Sequence, residues 1–179
     1  MCYTLAIINM RMSAVSFEVL MAAFTNFAEN KIIDFLFRGQ ALGFTNSTAA
    51  AGSGPSNLYI ALFTAITDGE AGTVTEVSTS GTGYGRVAVA SALAGWYGTS
   101  TASAAAVSSG SDATTKNASA ITFGSPTANW GTILGFGVYD AVTGGNLLIY
   151  GTLTTNKTVN SGDAAPSFAA AAFTFTLDN

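Results

Sequence analysis

One stretch near the end of the chain, residues 130–163, restricts the possible folds more than any other. It reads WGTILGFGVYDAVTGGNLLIYGTLTTNKTVNSGD and contains two apolar segments on either side of a Thr-Gly-Gly turn. Gly144 and Gly145 supply the positive backbone angles that hairpin loops need. Two runs of this composition around such a turn are typical of paired antiparallel strands. The stretch therefore predicts a β-hairpin.

The first strand of this hairpin has an unusual distribution of side chains. Strict alternation places bulky residues on one face and three glycines, Gly131, Gly135 and Gly137, on the other. Glycine weakens a strand, because it offers no side chain for packing. We therefore expect the strand to bend here, or another backbone, a bulky neighbour or a ligand to approach the glycine face closely.

Residues 26–38 form the one segment with a convincing helical pattern. Asn26 can cap the helix as the first residue of a capping box, and Gly39 ends it. Polar residues recur every four positions, which predicts a narrow polar stripe in which Asp34 and Arg38 are spaced for an ion pair. The rest of the helix surface is apolar, so the helix should be buried on more than one side, either under its own sheet or between subunits.

Several shorter segments have the pattern of β-strands. Residues 58–64 are apolar on both faces, as expected of a central strand that is covered on both sides. The other predicted strands, separated by turn residues, are 73–78, 83–90, 117–123 and 173–177. This pattern predicts a mainly β protein, an antiparallel β-sandwich or jelly roll with one N-terminal α-helix.

The sequence also predicts how the chain is divided. Residues 1–20 precede the helix and are expected to be an N-terminal extension or an assembly arm rather than a signal peptide. Residues 21–179 are expected to form a single β-sandwich domain with the N-terminal helix at 26–38.

Composition excludes several kinds of functional site. The chain has no histidine and one cysteine, Cys2, so a Ser-His-Asp or Cys-His catalytic site and a histidine-containing zinc site are impossible. A net charge of −4 provides no basic patch for nucleic acid, and no apolar run is long enough to span a membrane. We therefore expect no enzymatic activity, no cofactor, no bound metal, no nucleic-acid partner and no membrane partner.

Two isolated polar features have simple interpretations. Arg86 is the one cation between Arg38 and Lys116, and it is expected to donate hydrogen bonds to loop carbonyls rather than to act in catalysis. The sequence Asp68-Gly69-Glu70 is expected to be a solvated turn, because it lacks the regularly spaced oxygen ligands of a calcium loop.

The low charge content favours a protein that works inside an assembly. Only 9% of the residues are charged, compared with about a quarter in ordinary soluble proteins. A robust extracellular β domain is the alternative. The long segment at 93–116 is expected to run over the surface, where Trp96 and Tyr97 either contact a neighbouring subunit or fold back on their own core. The candidate interface residues are Phe27, Phe35, Phe37, Trp96 and Tyr97.

Five segments, taken in order, carry a resemblance to a known family. They are ENKIIDFLFRG, LYIALFT, GTGYGRVAV, the hairpin of residues 130–163, and FAAAAFTFTL. Together they resemble a family of small virion proteins of tailed double-stranded-DNA bacteriophages. Its members are commonly described as tail-fibre proteins, although similar small β-rich proteins serve as capsid decoration or cement proteins. The resemblance implies a structural role in the virion and no catalytic residues.

Two alternative functions are therefore considered, and the first is the preferred one. The first is a capsid decoration protein, synthesised in the host cytoplasm, that forms a homotrimer on the major capsid protein and clamps neighbouring capsomers. The alternative is a tail-fibre or tail-associated module that binds a receptor or a glycan. Copy number per virion separates the two.

Overall fold

The computed structural model describes residues 26–41, 55–98, 108–109, 111 and 113–177. Within these residues the chain forms one helix and ten strands, and every strand pairing is antiparallel. The mainly β fold with one N-terminal helix is thus confirmed. The elements are α1 (Asn26–Arg38), β1 (Asn57–Asp68), β2 (Thr73–Glu76), β3 (Val87–Ala90), β4 (Trp96–Tyr97), β5 (Thr114–Asn117), β6 (Ile121–Thr122), β7 (Gly131–Tyr139), β8 (Leu147–Val159), β9 (Ser167–Phe168) and β10 (Thr174–Thr176).

The strands form one large sheet and two small ones. The large sheet has the order β2-β1-β7-β8, and β3 also pairs with β1. The small sheets have the orders β10-β5-β4 and β6-β9. β1 lies in the centre of the large sheet, as its two apolar faces predict. The jelly-roll connectivity and the domain division stay predictions, and residues 1–20 lie outside the described residues.

β7 and β8 form the predicted central hairpin. Val138 pairs with Ile149 and Gly137 with Tyr150, while two register shifts interrupt the ladder nearer its two ends. The connecting turn contains Gly144 and Gly145 with φ of 61° and 72°. Both angles lie in the left-handed region that glycine adopts without steric cost. The turn residues thus take the conformation that the sequence predicted.

The large sheet is covered on both faces. One face contributes Leu58, Ile60 and Val138 to the main core, which also contains both tryptophans. The opposite face carries a smaller cluster formed by Ala61, Phe63 and Tyr139. β1 supplies fully buried side chains to both clusters, which explains why its sequence is apolar at nearly every position.

The glycines of β7 make room for side chains of β1. A Cβ atom at Gly135 would lie 2.6 Å from Cδ1 of Ile66, and one at Gly137 would overlap the ring of Phe63. β1 has two register shifts in its second half, and Ile66 lies in this irregular part. A bulky neighbour therefore approaches the glycine face, which is one of the outcomes that the sequence predicts.

Helix α1 begins and ends as predicted, but part of its polar stripe is buried. Gly39, at φ 64°, ends the helix, and the Gln40 amide donates to the carbonyl of Asp34 at 3.0 Å. Asp34 and Arg38 form the predicted ion pair at 2.7 Å, with 4% and 0% of each residue exposed. The Asp34 carboxylate also accepts from the amide of Ser108. Pairing and these hydrogen bonds allow the two charges to be buried.

Some predicted strand boundaries and one loop assignment are wrong. Only the second half of residues 83–90 is a strand, and residues 117–123 are divided between the end of β5 and β6. In the segment at 93–116, the Trp96–Tyr97 strand pairs with β5 instead of forming part of a surface loop. The reason is the burial of the Trp96 indole, whose ring packs 4.8 Å from Phe37 and 6.1 Å from Phe173.

Candidate functional site at the hairpin turns

The five predicted interface residues do not share one surface. Phe37 and Trp96 are fully buried within a single chain, so the alternative interpretation, in which a ring packs on its own core, describes them. Phe35 and Tyr97 are half-buried, and their contact with a neighbouring subunit stays a prediction. Phe27 belongs to α1, but its side chain lies outside the described residues.

The most extensive polar network among the described residues is centred on Arg86. Its Nη1 atom donates to the carbonyl oxygens of Ala141 and Gly144 at 2.9 and 2.7 Å, so the predicted bonds to loop carbonyls are confirmed. Its Nε and Nη2 atoms donate to the two carboxylate oxygens of Glu76 at 3.0 and 2.7 Å. Arg86 thereby joins the end of β2 to the turn of the central hairpin.

Aromatic side chains surround this ion pair. The Arg86 guanidinium lies over the ring of Tyr139, 3.5 Å from its centre. The Tyr84 hydroxyl donates to Glu76 and accepts a hydrogen bond from the Leu62 amide, both at 2.9 Å. Burial raises the pKa of Tyr84 well above its usual range, so its hydroxyl remains a donor at physiological pH. The main core and the hairpin turn are thus linked by one chain of hydrogen bonds.

The hairpin turn is also closed from within. Asn146 donates from its backbone and side-chain nitrogens to the two oxygens of Asp140, each at 2.7 Å. These bonds from the side chain and backbone of Asn146 lower the pKa of Asp140. A Cβ atom at Gly145 would overlap the Asp140 carboxylate, so this turn requires glycine there for space as well as for its backbone angle.

A second turn, residues 69–72, lies beside the first one. The Gly72 amide donates to the carbonyl of Gly69 at 3.1 Å, and the Ala71 amide donates to Asp68 at 3.0 Å. The ring of Tyr150, from β8, packs directly against Gly69. Because the Asp68 side chain accepts a hydrogen bond from the Ala71 amide, Asp68 caps this turn.

A cleft of about 420 Å³ lies between the two turns. We call it the turn cleft, and its residues are Glu70, Ala71 and Gly72 of one turn, Gly144, Gly145 and Asn146 of the other, and Arg86, Tyr139 and Leu147. The turn cleft is mainly polar, and most of its wall residues come from glycine-containing turns. The turn cleft therefore brings hydrogen-bonding groups of two turns together at one place on the surface.

The sequence contains only a weak signal for this site. Glu76 and Arg86 lie ten residues apart on different segments, so no motif spacing connects them. The one available clue was the small number of charged residues, because in such a chain an isolated glutamate and an isolated arginine are expected to form an ion pair. Within the described residues, no group of three or more His, Cys, Asp or Glu side chains could hold a metal ion. No helix in that same part of the chain has the length and apolar character needed to cross a membrane.

The fold and this site define a small, mainly β protein whose charged groups stabilise surface turns. A family model described as podophage GP4 fiber I protein gp80 matches residues 23–176. The chain belongs to this family, and it is a structural protein of the bacteriophage virion. The resemblance identified from the sequence is therefore confirmed. No curated protein matches the chain.

Proposed function

We propose that this protein is a structural component of the phage tail fibre. The observation that carries the proposal is the match to a fiber I protein family, which extends from before α1 to the last residue of β10. The family description names a fibre, so it favours the tail alternative over the capsid decoration role that was expected first. The partners of a tail component are other copies of itself and other tail proteins.

The proposed role is mechanical and involves no covalent chemistry. The ion pairs Asp34–Arg38 and Glu76–Arg86 lie within one chain and stabilise its own helix end and turn. Since only 9% of the residues are charged, contacts with neighbours would depend mainly on apolar surface and neutral hydrogen bonds, which salt screens little. Phe35 and Tyr97 remain the half-buried aromatic candidates for such contacts. We retain the homotrimer as the proposed assembly, since closed symmetry is the usual arrangement of a self-associating domain.

Copy number and location test this proposal together. Quantitative mass spectrometry of purified virions, with the major capsid protein as internal standard, should give a few tens of copies at most. Antibody labelling in electron micrographs should mark purified tails and leave emptied heads unlabelled. Several hundred copies, or label distributed over heads, would overturn the fibre proposal and support the capsid decoration role.

A second measurement addresses the clamping role directly. Particles lacking the protein should release their DNA at the same temperature as complete particles if it belongs to the fibre. A decoration protein that binds only the assembled shell would raise that temperature by mass action. A lower release temperature for the particles without it would therefore contradict the fibre assignment.

A further inference from the structure

We propose that the open edge of β8 is an interface at which two copies of this chain pair strand to strand. The large sheet ends at β8, which among the described residues pairs with β7 alone. One long side of β8 therefore carries backbone N–H and C=O groups that have no strand partner in this part of the chain. This inference goes beyond the fibre role proposed above and does not depend on it.

The β8 edge differs from the opposite edge of the same sheet. β8 has 13 residues and extends for about 40 Å, whereas β2 and β3, which form the opposite edge, have four residues each. Short strands, charges and prolines are the features that keep edge strands from pairing with other molecules. The opposite edge has short strands and the charge of Glu76. In β8, residues 147–156 contain neither a charge nor a proline.

Exposed apolar side chains are concentrated beside the β8 edge. The large apolar side chains that are exposed among the described residues are Val142, Leu148 and Tyr150. All three belong to the β7–β8 hairpin and its turn, and two of them lie on β8. Strand addition at a sheet edge buries apolar side chains together with the backbone groups of the edge. The β8 edge offers both kinds of group.

The partner strand that fits this edge is β8 of a second copy. The strands of the opposite edge are too short to cover it, whereas two identical strands pair antiparallel about a two-fold axis and present the same surface to each other. The ladder between β8 and β7 is regular from Ile149 to Thr152, and its irregularity beyond Thr152 limits the new pairing to the first part of β8. An axis at Gly151 lies within the regular part and pairs residues 148–154 of the two copies.

This register matches side chains on both faces of the extended sheet. On the face of the main core, Ile149 of one copy lies opposite Leu153 of the other, and both side chains are half-buried against that core in each copy. On the other face, Tyr150 lies opposite Thr152, and such a pair of an aromatic and a β-branched residue stabilises neighbouring strands. Since residues 148–154 are uncharged, no like charges face each other across the axis.

The test is the mass of the purified full chain in solution, measured by sedimentation equilibrium. A two-fold contact gives an even number of copies, which is two, or six if the proposed homotrimer also forms. Thr152→Lys combined with Thr154→Lys brings four ammonium groups together around the axis, and both positions are exposed in the single chain. We expect this double variant to weaken pairing at least tenfold and to halve the mass.

A matched control places the same charges on the opposite edge. Thr73→Lys combined with Thr75→Lys, at two exposed positions of β2, should leave the mass unchanged. A monomer or a trimer in the unsubstituted protein, or an unchanged mass for the β8 variant, would overturn the pairing. Because a trimer would at the same time uphold the homotrimer, the two proposals can fail separately.

Hydrogen exchange of the unsubstituted protein locates the contact without any variant. Dilution that dissociates the pairs, as followed by sedimentation, should raise the exchange rates of alternate amides within residues 148–154 at least tenfold. The amides of β1, in the centre of the same sheet, should keep their rates. Exchange in β8 that does not respond to dilution, or a response confined to other strands, would place the contact elsewhere and overturn the proposal.

Discussion

Replacement of Arg86 by alanine tests whether its polar network holds the hairpin turn against the sheet. The substitution removes the paired hydrogen bonds to Glu76, two bonds to turn carbonyls and the contact with the Tyr139 ring. It leaves Glu76 with the hydroxyl of Tyr84 as its one remaining side-chain donor among the described residues. We expect a large loss of stability from this single change.

The magnitude follows from how well the pair is shielded. The Arg86 side chain is 8% exposed and that of Glu76 is 23% exposed, so this pair is not an ordinary surface ion pair worth less than about 1 kcal/mol. Removal of one partner from a fully buried pair costs about 3 to 5 kcal/mol. Partial rehydration of Glu76 lowers that cost, and each lost bond to a carbonyl adds about 1 kcal/mol. We therefore expect Arg86→Ala to lower the free energy of unfolding by about 3 kcal/mol.

Urea unfolding followed by circular dichroism measures this loss. With a slope of about 2 kcal/mol per molar urea, the midpoint should fall by about 1.5 M at an unchanged slope. Lys157→Ala, at an exposed position on β8, is the control and should change stability by less than about 0.5 kcal/mol. Arg86→Lys should recover about half of the loss, because one ammonium group cannot reach Glu76 and both carbonyls together.

A double-mutant cycle separates the ion pair from the carbonyl bonds. Glu76→Gln and Arg86→Ala should show a coupling free energy of at least about 1 kcal/mol, since their side chains are in direct contact. A loss below about 1 kcal/mol for Arg86→Ala would refute the assignment of Arg86 as the residue that holds the turn. Full additivity of the two substitutions would instead refute a stabilising contribution from the Glu76–Arg86 pair.

Two further predictions concern the glycine face and the hairpin turn. Gly137→Ala should lower the free energy of unfolding by about 2 kcal/mol, because the new methyl group overlaps a buried phenyl ring. Gly85→Ala, with open space around it, is the control and should change stability little. Thermal unfolding of the two variants measures the difference. The lowered pKa of Asp140 contributes stability that is complete above the unfolded pKa of about 4 and is lost as pH falls through the folded value. The difference in urea midpoint between the unsubstituted protein and Asp140→Ala should therefore shrink from pH 7 to pH 3, and a constant difference would contradict this.

Local patterns of the sequence determine much of the fold. The end of α1 follows from Gly39, and the central hairpin follows from two apolar runs around Gly144 and Gly145. The central position of β1 follows from its apolar residues on both faces. These features depend on interactions between neighbours in the chain, or on the simple rule that apolar surface is buried, so they can be predicted without the tertiary structure.

Pairings between distant segments could not be predicted in the same way. The sequence left Trp96 either in contact with a neighbouring subunit or folded back on its own core, and only the packing of Phe37 and Phe173 around its indole decided between them. The predicted Asp34–Arg38 pair formed, but its burial depends on Ser108, which is remote in the chain. Burial of this kind is a property of the assembled core and has no local signature.

The candidate site also combines features that the sequence predicted with features that only the tertiary structure determined. The sequence alone indicated that Arg86 would bind loop carbonyls, because an isolated arginine in a chain of few charges needs acceptors. It did not indicate Glu76 as the partner, nor that Glu70 and Asn146 would face one cleft. β1 and the β7–β8 hairpin bring these residues together through antiparallel pairing and through the close approach of β1 side chains that the glycines of β7 permit. Strand register determines where the site forms, since register depends on contacts between residues far apart in the chain.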